Sequence, residues 1–219
     1  MPARKAIIAV TSKGLTLPQS EETVGIIITK VLHPYIDLVD AGFEVDLVSK
    51  SGSYTVTSSC IDLTRGEDLK IWNDVNSEFR KKLNNMPKAS EVDGSQYGLF
   101  YASQSLPQVS DYETSSGLQK IALQVWVHGG VIAAVCDGAE PFINMIDPST
   151  GKPITTRKIA IKAKYIMMNE AFAADPNGSH KGKREVDTFW VINERLITGS
   201  GRCTATCAIM AALDAFDKL

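Results

Sequence analysis

The sequence predicts an α/β fold in which a doubly wound, mostly parallel sheet carries helices on both faces. Short apolar runs alternate along the chain with amphipathic stretches at helical spacing, as expected of parallel strands joined by crossover helices. One of these runs, residues 130–135, is unbroken, which is typical of a central strand buried on both faces. No internal repeat divides the chain, and 219 residues suit one core. We therefore expect a single domain spanning residues 1–219.

The first half of the chain contains three predicted strands and two predicted helices. Apolar residues at helical spacing predict a helix over 23–40, and Gly42 stands where a helix C-cap is expected. A second, more polar helix over 68–83 is predicted because apolar residues recur there every four positions. The predicted strands cover 5–11, 44–48 and 97–102.

The second half of the chain continues the alternation of helices and strands. A helix over 117–127 precedes the unbroken apolar strand, which ends at Cys136. Turn-rich segments separate the elements beyond it. These elements are a fifth strand over 158–163, a hairpin or short edge pair from 187–192 and 196–198, and a last helix from near Cys203 through Phe216.

Composition excludes several classes of partner. A net charge of −2 and an isoelectric point near 5.9 give no electrostatic basis for binding nucleic acid or an anionic membrane. No apolar run approaches the length of a membrane span, and the amino-terminal segment is too short for a signal sequence. Four irregularly spaced cysteines predict neither a disulfide framework nor a metal site. We therefore expect a cytoplasmic protein without a cofactor that binds a small-molecule substrate.

Cys136 is the residue whose position most strongly indicates chemistry. It ends the apolar strand and is followed by small residues that suit a sharp turn into a helix. Open α/β sheets bind ligands at the carboxyl ends of their strands, which is where such a turn presents its side chain. Nearby helix N–H groups would favour the thiolate. The alternative is an inert core cysteine, since free cysteine is often buried.

Several motifs resemble a known family. The sequence AAVCDG at 133–138 resembles the nucleophile elbow of the ThiJ/PfpI superfamily, whose fold is flavodoxin-like and related to class I glutamine amidotransferases. Four other motifs are similar to the fungal branch of chaperones and cofactor-independent glyoxalases III. They are VLHPY at 31–35, GFEVDLVS at 42–49, YAS at 101–103 and RLITG at 195–199. The resemblance implies the fold and a homodimer.

The resemblance also implies a set of site residues, and most of them differ here. The branch carries a cysteine, a histidine directly after it and a glutamate on the first long helix. In this chain these positions are Cys136, Asp137 and Lys30. A glycine–histidine–glycine loop of the branch is replaced by Ser105 and the two residues after it, and Arg202 replaces a proline.

The remaining pocket residues are predicted from the same comparison. Tyr101, Gln104, Ser105 and Arg202 would line the substrate pocket, with Arg202 placed to orient a substrate carboxylate. The backbone N–H groups of Asp137 and Ser105 would form an oxyanion hole, because backbone donors survive side-chain changes.

The roles of Lys30 and Asp137 stay open at this point. Lys30 either forms an ion pair with Asp137, a charge-reversed version of the family's pair, or faces solvent from its helix. Asp137 either works in acid–base chemistry or caps the following helix and pairs with Lys30, and we favour capping or pairing. The sequence places no histidine next to Cys136.

These substitutions lead to a specific expectation about function. Turning a 2-oxoaldehyde into a 2-hydroxy acid requires proton transfer between neighbouring carbons, work suited to the missing histidine and glutamate. We therefore expect a cysteine-site enzyme of lyase, hydratase or hydrolase type on a small carbonyl metabolite, without glyoxalase III activity. The first alternative is a non-catalytic protein, either a stress-response holding chaperone or a thiol redox sensor. Retained glyoxalase III activity is the alternative that we rank lowest, because the changed residues are those that the proton transfers require.

Overall fold

The computed structural model describes most of the amino-terminal half of the chain and the elements that complete the sheet. The described residues are 1–16, 22–59, 66–103, 111–112, 114–135, 138–139, 142, 145–154, 189–193, 195–200 and 204–219, with the backbone alone for 189–193, 200 and 204.

The described strands form one large sheet and two small hairpins. In chain order they are β1 (Lys5–Val10), β2 (Leu15–Thr16), β3 (Thr23–Val24), β4 (Glu44–Ser49), β5 (Leu99–Ala102), β6 (Val131–Val135), β7 (Ile146–Asp147), β8 (Lys152–Pro153), β9 (Phe189–Asn193) and β10 (Leu196–Ser200). The large sheet has the order β4-β1-β5-β6-β10-β9, and β2–β3 and β7–β8 pair separately. All neighbours in the large sheet are parallel except β9 and β10. This is the predicted doubly wound, mostly parallel sheet.

Helices cover both faces of this sheet. They are α1 (Ile28–Asp40), α2 (Glu67–Asn73), α3 (Glu78–Asn84), α4 (Ser116–Val127) and α5 (Thr204–Phe216). One face packs on α1 and α5 through alternate strand residues such as Ile8 and Ala133, and the other packs on α4 through residues such as Ile7 and Ala134. Burial on both faces explains why the central strands contain uninterrupted apolar residues.

The first helix begins later than its periodicity predicts. Residues 23–24 form β3, and Ile26 forms an isolated parallel bridge with Val56. A Cβ on Gly25 would lie only 2.0 Å from the Thr55 carbonyl oxygen, so this approach requires glycine. Strand-type hydrogen bonding to the segment around Thr55 therefore outcompetes helix formation, and α1 starts at Ile28.

The predicted helix over 68–83 is two short helices, α2 and α3. The Asp74 side chain accepts a hydrogen bond from the Asn76 backbone N–H at 2.9 Å. The Ser77 hydroxyl accepts from the Arg80 N–H at 3.3 Å and starts α3 as its N-cap. The apolar residues that recur every four positions are Ile71, Val75, Phe79 and Leu83. Val75 is 62% exposed, so these four side chains do not form one buried stripe. Short polar side chains that bond the backbone break the helix here, which the periodicity did not reveal.

Other predicted elements are confirmed within small shifts of their ends. Gly42 has φ +80 directly after α1, and the Phe43 N–H donates to the Leu38 carbonyl at 3.0 Å, as expected of a glycine C-cap. The carboxyl-terminal pair is an antiparallel hairpin of β9 and β10. The strand predicted over 158–163 lies outside the described residues. Among the described helices, none has the length and apolarity needed to cross a bilayer.

Asp46 connects the edge strand β4 to three surrounding groups. Its carboxylate lies 2.9 Å from Lys82 Nζ and 3.2 Å from Lys5 Nζ, and it accepts a hydrogen bond from the Tyr97 hydroxyl at 3.0 Å. Burial is the largest single influence and by itself raises the pKa of this carboxyl. The hydrogen bonds and the Lys82 charge together outweigh it and hold the pKa below the ordinary 3.8.

We predict that Asp46→Asn lowers the free energy of unfolding at pH 7 by about 1 kcal/mol, discounted for partial exposure. A lowered pKa in the folded state means that this contribution is complete above about pH 4 and disappears as the pH falls through the folded-state pKa. Urea unfolding of both proteins from pH 7 to pH 3 measures it. Asp214→Asn, in an exposed pair with Lys218, serves as the control and should change little. Equal stability of Asp46→Asn and the parent at pH 7 would contradict the prediction.

Candidate functional site

The carboxyl edge of the sheet brings together the ends of β1, β5, β6 and β10. Ala134 of β6 pairs with Ala102 on one side and with Thr198 on the other, and Val135 pairs with Gly199. Cys136 and Asp137 follow β6 directly in the chain and lie outside the described residues. The strand that leads to Cys136 is therefore the fully buried, central one that the sequence predicts.

Gly138 determines where the chain passes after the elbow. A Cβ at this position would lie 2.8 Å from the Ala102 carbonyl oxygen and 3.1 Å from the Ser103 carbonyl oxygen. No other residue type fits that approach without displacing the backbone. The backbone at Gly138 is therefore held close to the end of β5, and the predicted sharp turn at 136–137 lies outside the described residues.

Lys30 lies in the first turn of α1, close to the same edge. Its backbone carbonyl accepts a hydrogen bond from the Tyr101 hydroxyl at 3.3 Å, and Tyr101 pairs with Ala133 of β6. The first turn of α1 contains no acidic residue, so the Lys30 charge adds to the positive end of the helix dipole. This arrangement favours an anionic neighbour. The ion pair with Asp137 stays a prediction.

Tyr101 is fully buried in the core between the sheet and the layer of α1 and α5. The hydrogen bond from its hydroxyl fixes the start of α1 against β5. Its predicted contact with substrate stays a prediction. Gln104, Ser105 and Arg202, the other predicted pocket residues, lie outside the described residues.

Four residues at this edge were not singled out by the sequence. The Tyr112 hydroxyl lies 2.9 Å from the Ser103 carbonyl oxygen, 3.1 Å from the Ser103 hydroxyl and 3.0 Å from the Ala9 carbonyl oxygen. Its neighbour Asp111 accepts hydrogen bonds from the Ser12 N–H at 3.1 Å and the Ser12 hydroxyl at 2.5 Å. Tyr112 and Ser103 are nine residues apart, whereas the contacts with Ala9 and Ser12 join segments about 100 residues apart, which no local sequence signal announces.

The described histidines bond to partners in other parts of the fold. His33 Nε2 lies 2.8 Å from the Asp68 carboxylate, and His128 Nδ1 lies 2.8 Å from the Gln124 carbonyl oxygen at the end of α4. His180 lies outside the described residues. Among the described residues, no group of histidine, cysteine and carboxylate side chains is arranged to hold a metal ion.

Comparison with known proteins identifies relatives along nearly the whole chain, although no family model matches it. The chain is 36% identical to glyoxalase 3 of Candida albicans over 156 residues, which cover 70% of this chain and 66% of that protein. It is 32% identical over 234 residues to a probable glutathione-independent glyoxalase of Saccharomyces cerevisiae, covering 98% and 99% of the two chains. The crystal structure of glyoxalase III from Candida albicans matches with a TM-score of 0.83 and 30% identity, over 98% of each chain.

The chain belongs to the glutathione-independent glyoxalase family. A ThiJ/PfpI domain protein of Brachyspira murdochii shares the fold, with a TM-score of 0.61 at 9% identity. The predicted resemblance to the ThiJ/PfpI superfamily and its fungal glyoxalase III branch is therefore confirmed. Because the family is one of enzymes, the comparisons also favour an enzyme over a non-catalytic chaperone or redox sensor.

The same comparisons correct the predicted activity. Relatives named glyoxalases match this chain across most of its length, which points to glyoxalase activity and not to its absence. The prediction that this chain lacks glyoxalase III activity is therefore wrong. It treated the changed side chains at 30 and 137 as a loss of proton carriers, although a carboxylate and an amine also exchange protons.

We predict that Gly138→Ala lowers the free energy of unfolding by about 1–3 kcal/mol, since the added methyl meets backbone that must shift. It should also change the rate at which iodoacetamide alkylates Cys136, measured by peptide mass spectrometry. Gly130→Ala is the matched control at the amino end of the same strand, where a Cβ would lie 2.6 Å from the Gly98 carbonyl oxygen. It should cost similar stability and leave Cys136 alkylation unchanged. Equal alkylation rates in both variants would refute the assigned role of Gly138.

Proposed function

We propose that this chain is a cofactor-independent glyoxalase that converts a 2-oxoaldehyde such as methylglyoxal into the corresponding 2-hydroxy acid, with Cys136 as the nucleophile. The observation that carries the proposal is the placement of Cys136 directly after the central strand β6, in a chain whose whole length aligns with proteins named glyoxalases. The close contact of Gly138 with the end of β5 supports a fixed elbow at that position.

The proposed reaction is an internal redox conversion that needs water but no external oxidant. The Cys136 thiolate adds to the aldehyde carbon, forming a C–S bond while the carbonyl oxygen takes up a proton. A proton then leaves this carbon, and the resulting enediol is reprotonated on the neighbouring carbon. The aldehyde carbon is thereby oxidised to a thioester and its neighbour reduced to an alcohol. Water hydrolyses the thioester, which releases the 2-hydroxy acid and restores the thiolate.

Asp137 and Lys30 are the proposed proton-handling groups. We assign the transfer between the two carbons to the Asp137 carboxylate, which stands at the position of the family's histidine. The Lys30 ammonium, at the positive end of α1, would stabilise the thiolate and the negative charge on the enediolate oxygens. The two residues would also pair with each other between turnovers. This is the family's charge pattern with its signs exchanged.

The remaining predicted residues complete the proposed pocket. The backbone N–H groups of Asp137 and Ser105 would hold the developing oxyanion, and Gln104 would bond the second carbonyl. Arg202 would retain the product carboxylate after hydrolysis. Tyr101 would contribute through the Lys30 carbonyl that it bonds, by fixing the start of α1.

We also propose that the protein is one domain, resides in the cytoplasm and assembles as a homodimer. The one large sheet among the described residues and the near-complete alignment with a relative support the single domain. The composition supports the cytoplasmic location, and the family resemblance supports the homodimer. Light scattering on the purified full chain at micromolar concentration tests the dimer.

We predict that the purified chain converts methylglyoxal to lactate without glutathione or added metal, measured by chiral chromatography of the product. Cys136→Ala should abolish turnover because the thioester cannot form. Cys207→Ala is the control, since Cys207 is a partly exposed thiol on α5. It should leave the rate unchanged. Absence of lactate from the parent, or full activity of Cys136→Ala, would disprove the proposal.

We predict that Asp137→Asn lowers kcat by a factor of roughly 10²–10⁴, the usual contribution of a positioned acid–base group. Lys30→Met should lower kcat less and shift the pH profile. The informative variant is the double change Lys30→Glu with Asp137→His, which rebuilds the family's pair. It should be more active than either of its single changes, because each single change leaves two like charges or one unpaired charge. A double variant no better than its parts would argue against coupling of the two sites.

A further inference from the structure

Tyr112 is a buried hydroxyl at the carboxyl edge that the proposed chemistry does not use. Its side chain is 1% exposed. Its hydroxyl lies 3.0 Å from the Ala9 carbonyl oxygen of β1 and 2.9 Å from the carbonyl oxygen of Ser103, the residue directly after β5. A single phenol therefore holds two neighbouring strand ends in a fixed relation.

Ser103 is the point at which this contact meets the elbow. Its N–H donates to the Ala9 carbonyl at 3.0 Å, which continues the pairing of β1 and β5 by one residue. The Ser103 hydroxyl lies 3.1 Å from the Tyr112 hydroxyl oxygen. Tyr112 therefore contacts both the side-chain hydroxyl and the backbone carbonyl of Ser103. The Ser103 carbonyl oxygen also limits the space at Gly138, because a Cβ added to Gly138 would lie 3.1 Å from it.

These contacts form a continuous path from Tyr112 to the nucleophile. Tyr112 fixes the carbonyl of Ser103, that carbonyl limits the position of Gly138, and Gly138 lies two residues after Cys136. The first step is a buried hydrogen bond from a side chain to a backbone carbonyl, the second is a close backbone approach, and the third is the chain itself. In a close-packed interior a displacement of a few tenths of an ångström is transmitted and not absorbed. Asp111 strengthens the same corner through its two hydrogen bonds to Ser12.

We infer that Tyr112 is a positioning residue for the proposed reaction and sets the placement of the Cys136 elbow through Ser103 and Gly138. It does not touch the substrate. The kinetic part of this inference rests on the proposed glyoxalase function, whereas the placement of Cys136 is measurable without it.

Tyr112→Phe tests the inference, because it removes the hydroxyl and keeps the buried ring. Tyr97→Phe is the matched control. Tyr97 is also buried, and its hydroxyl also makes a hydrogen bond, to Asp46 at 3.0 Å, but it precedes β5 at the opposite end of that strand. Both variants lose one buried phenol hydroxyl, so a general loss of stability affects both.

The deciding measurement is the ratio of the iodoacetamide alkylation rates of Cys136 and Cys207 in the same sample, read by peptide mass spectrometry. Tyr112→Phe should change this ratio by about threefold or more, and Tyr97→Phe should leave it unchanged. With methylglyoxal as substrate, Tyr112→Phe should lower kcat roughly tenfold to a hundredfold and hold KM within about twofold, because a misplaced nucleophile slows chemistry more than binding.

An unchanged alkylation ratio in Tyr112→Phe, or an equal change in Tyr97→Phe, overturns the inference. If the parent forms no lactate, the proposed function fails, and the alkylation ratio still decides the role of Tyr112. If Tyr112→Phe does not fold in dilute buffer, the same ratio is measured in sucrose, which favours the compact state, for the parent, Tyr112→Phe and Tyr97→Phe alike. An unchanged ratio in Tyr112→Phe under these conditions would also overturn the inference.

Discussion

Burial of the three central strands on both faces is the constraint on which the rest of the structure depends. Apart from Lys5, the residues of β1, β5 and β6 are largely apolar and are almost completely excluded from solvent. A polar group within these strands would lose its hydration unless it found a partner, as the Tyr101 hydroxyl does in the Lys30 carbonyl, so most polar side chains appear where the strands end. Thr11, Ser103 and Cys136 are the first polar residues after β1, β5 and β6. The same packing that stabilises the fold therefore leaves the ends of the strands as the place for the proposed chemistry.

The residues at positions 30 and 137 carry charges opposite in sign to those that the family resemblance implies. A lysine in the first turn of a helix is unfavourable by roughly 0.3–1 kcal/mol, because it adds to the positive end of the helix dipole. An aspartate at position 137 offers the opposite charge at the elbow. Exchange of both signs preserves an attractive pair, whereas exchange of one would not. The retained match to glyoxalases over the whole chain is consistent with such a paired change.

The sequence predicted the elements whose cause is local. The strand before Cys136 was found because complete burial requires an unbroken apolar run, and the end of α1 because a glycine C-cap has its own signal. The start of α1 was predicted five residues too early, because pairing of Ile26 with Val56 depends on a distant segment. The break between α2 and α3 was missed because apolar periodicity does not report side-chain hydrogen bonds to the backbone. The changed side chains at positions 30 and 137 were also taken to mean that the activity was lost. Apolar periodicity and charge cannot decide whether an activity is retained.

The sequence by itself determined that a cysteine follows a buried strand and that a glycine stands two residues after the cysteine, since both are properties of neighbouring positions. Only the tertiary structure decided which groups surround that glycine. The phenol of Tyr112, the carbonyl of Ser103 and the bare backbone of Gly138 come from three separate segments, and their contacts exist only when β1, β5 and β6 are assembled. Contacts between segments distant in the chain follow from the packing of the whole sheet, and no pattern within a single segment specifies them.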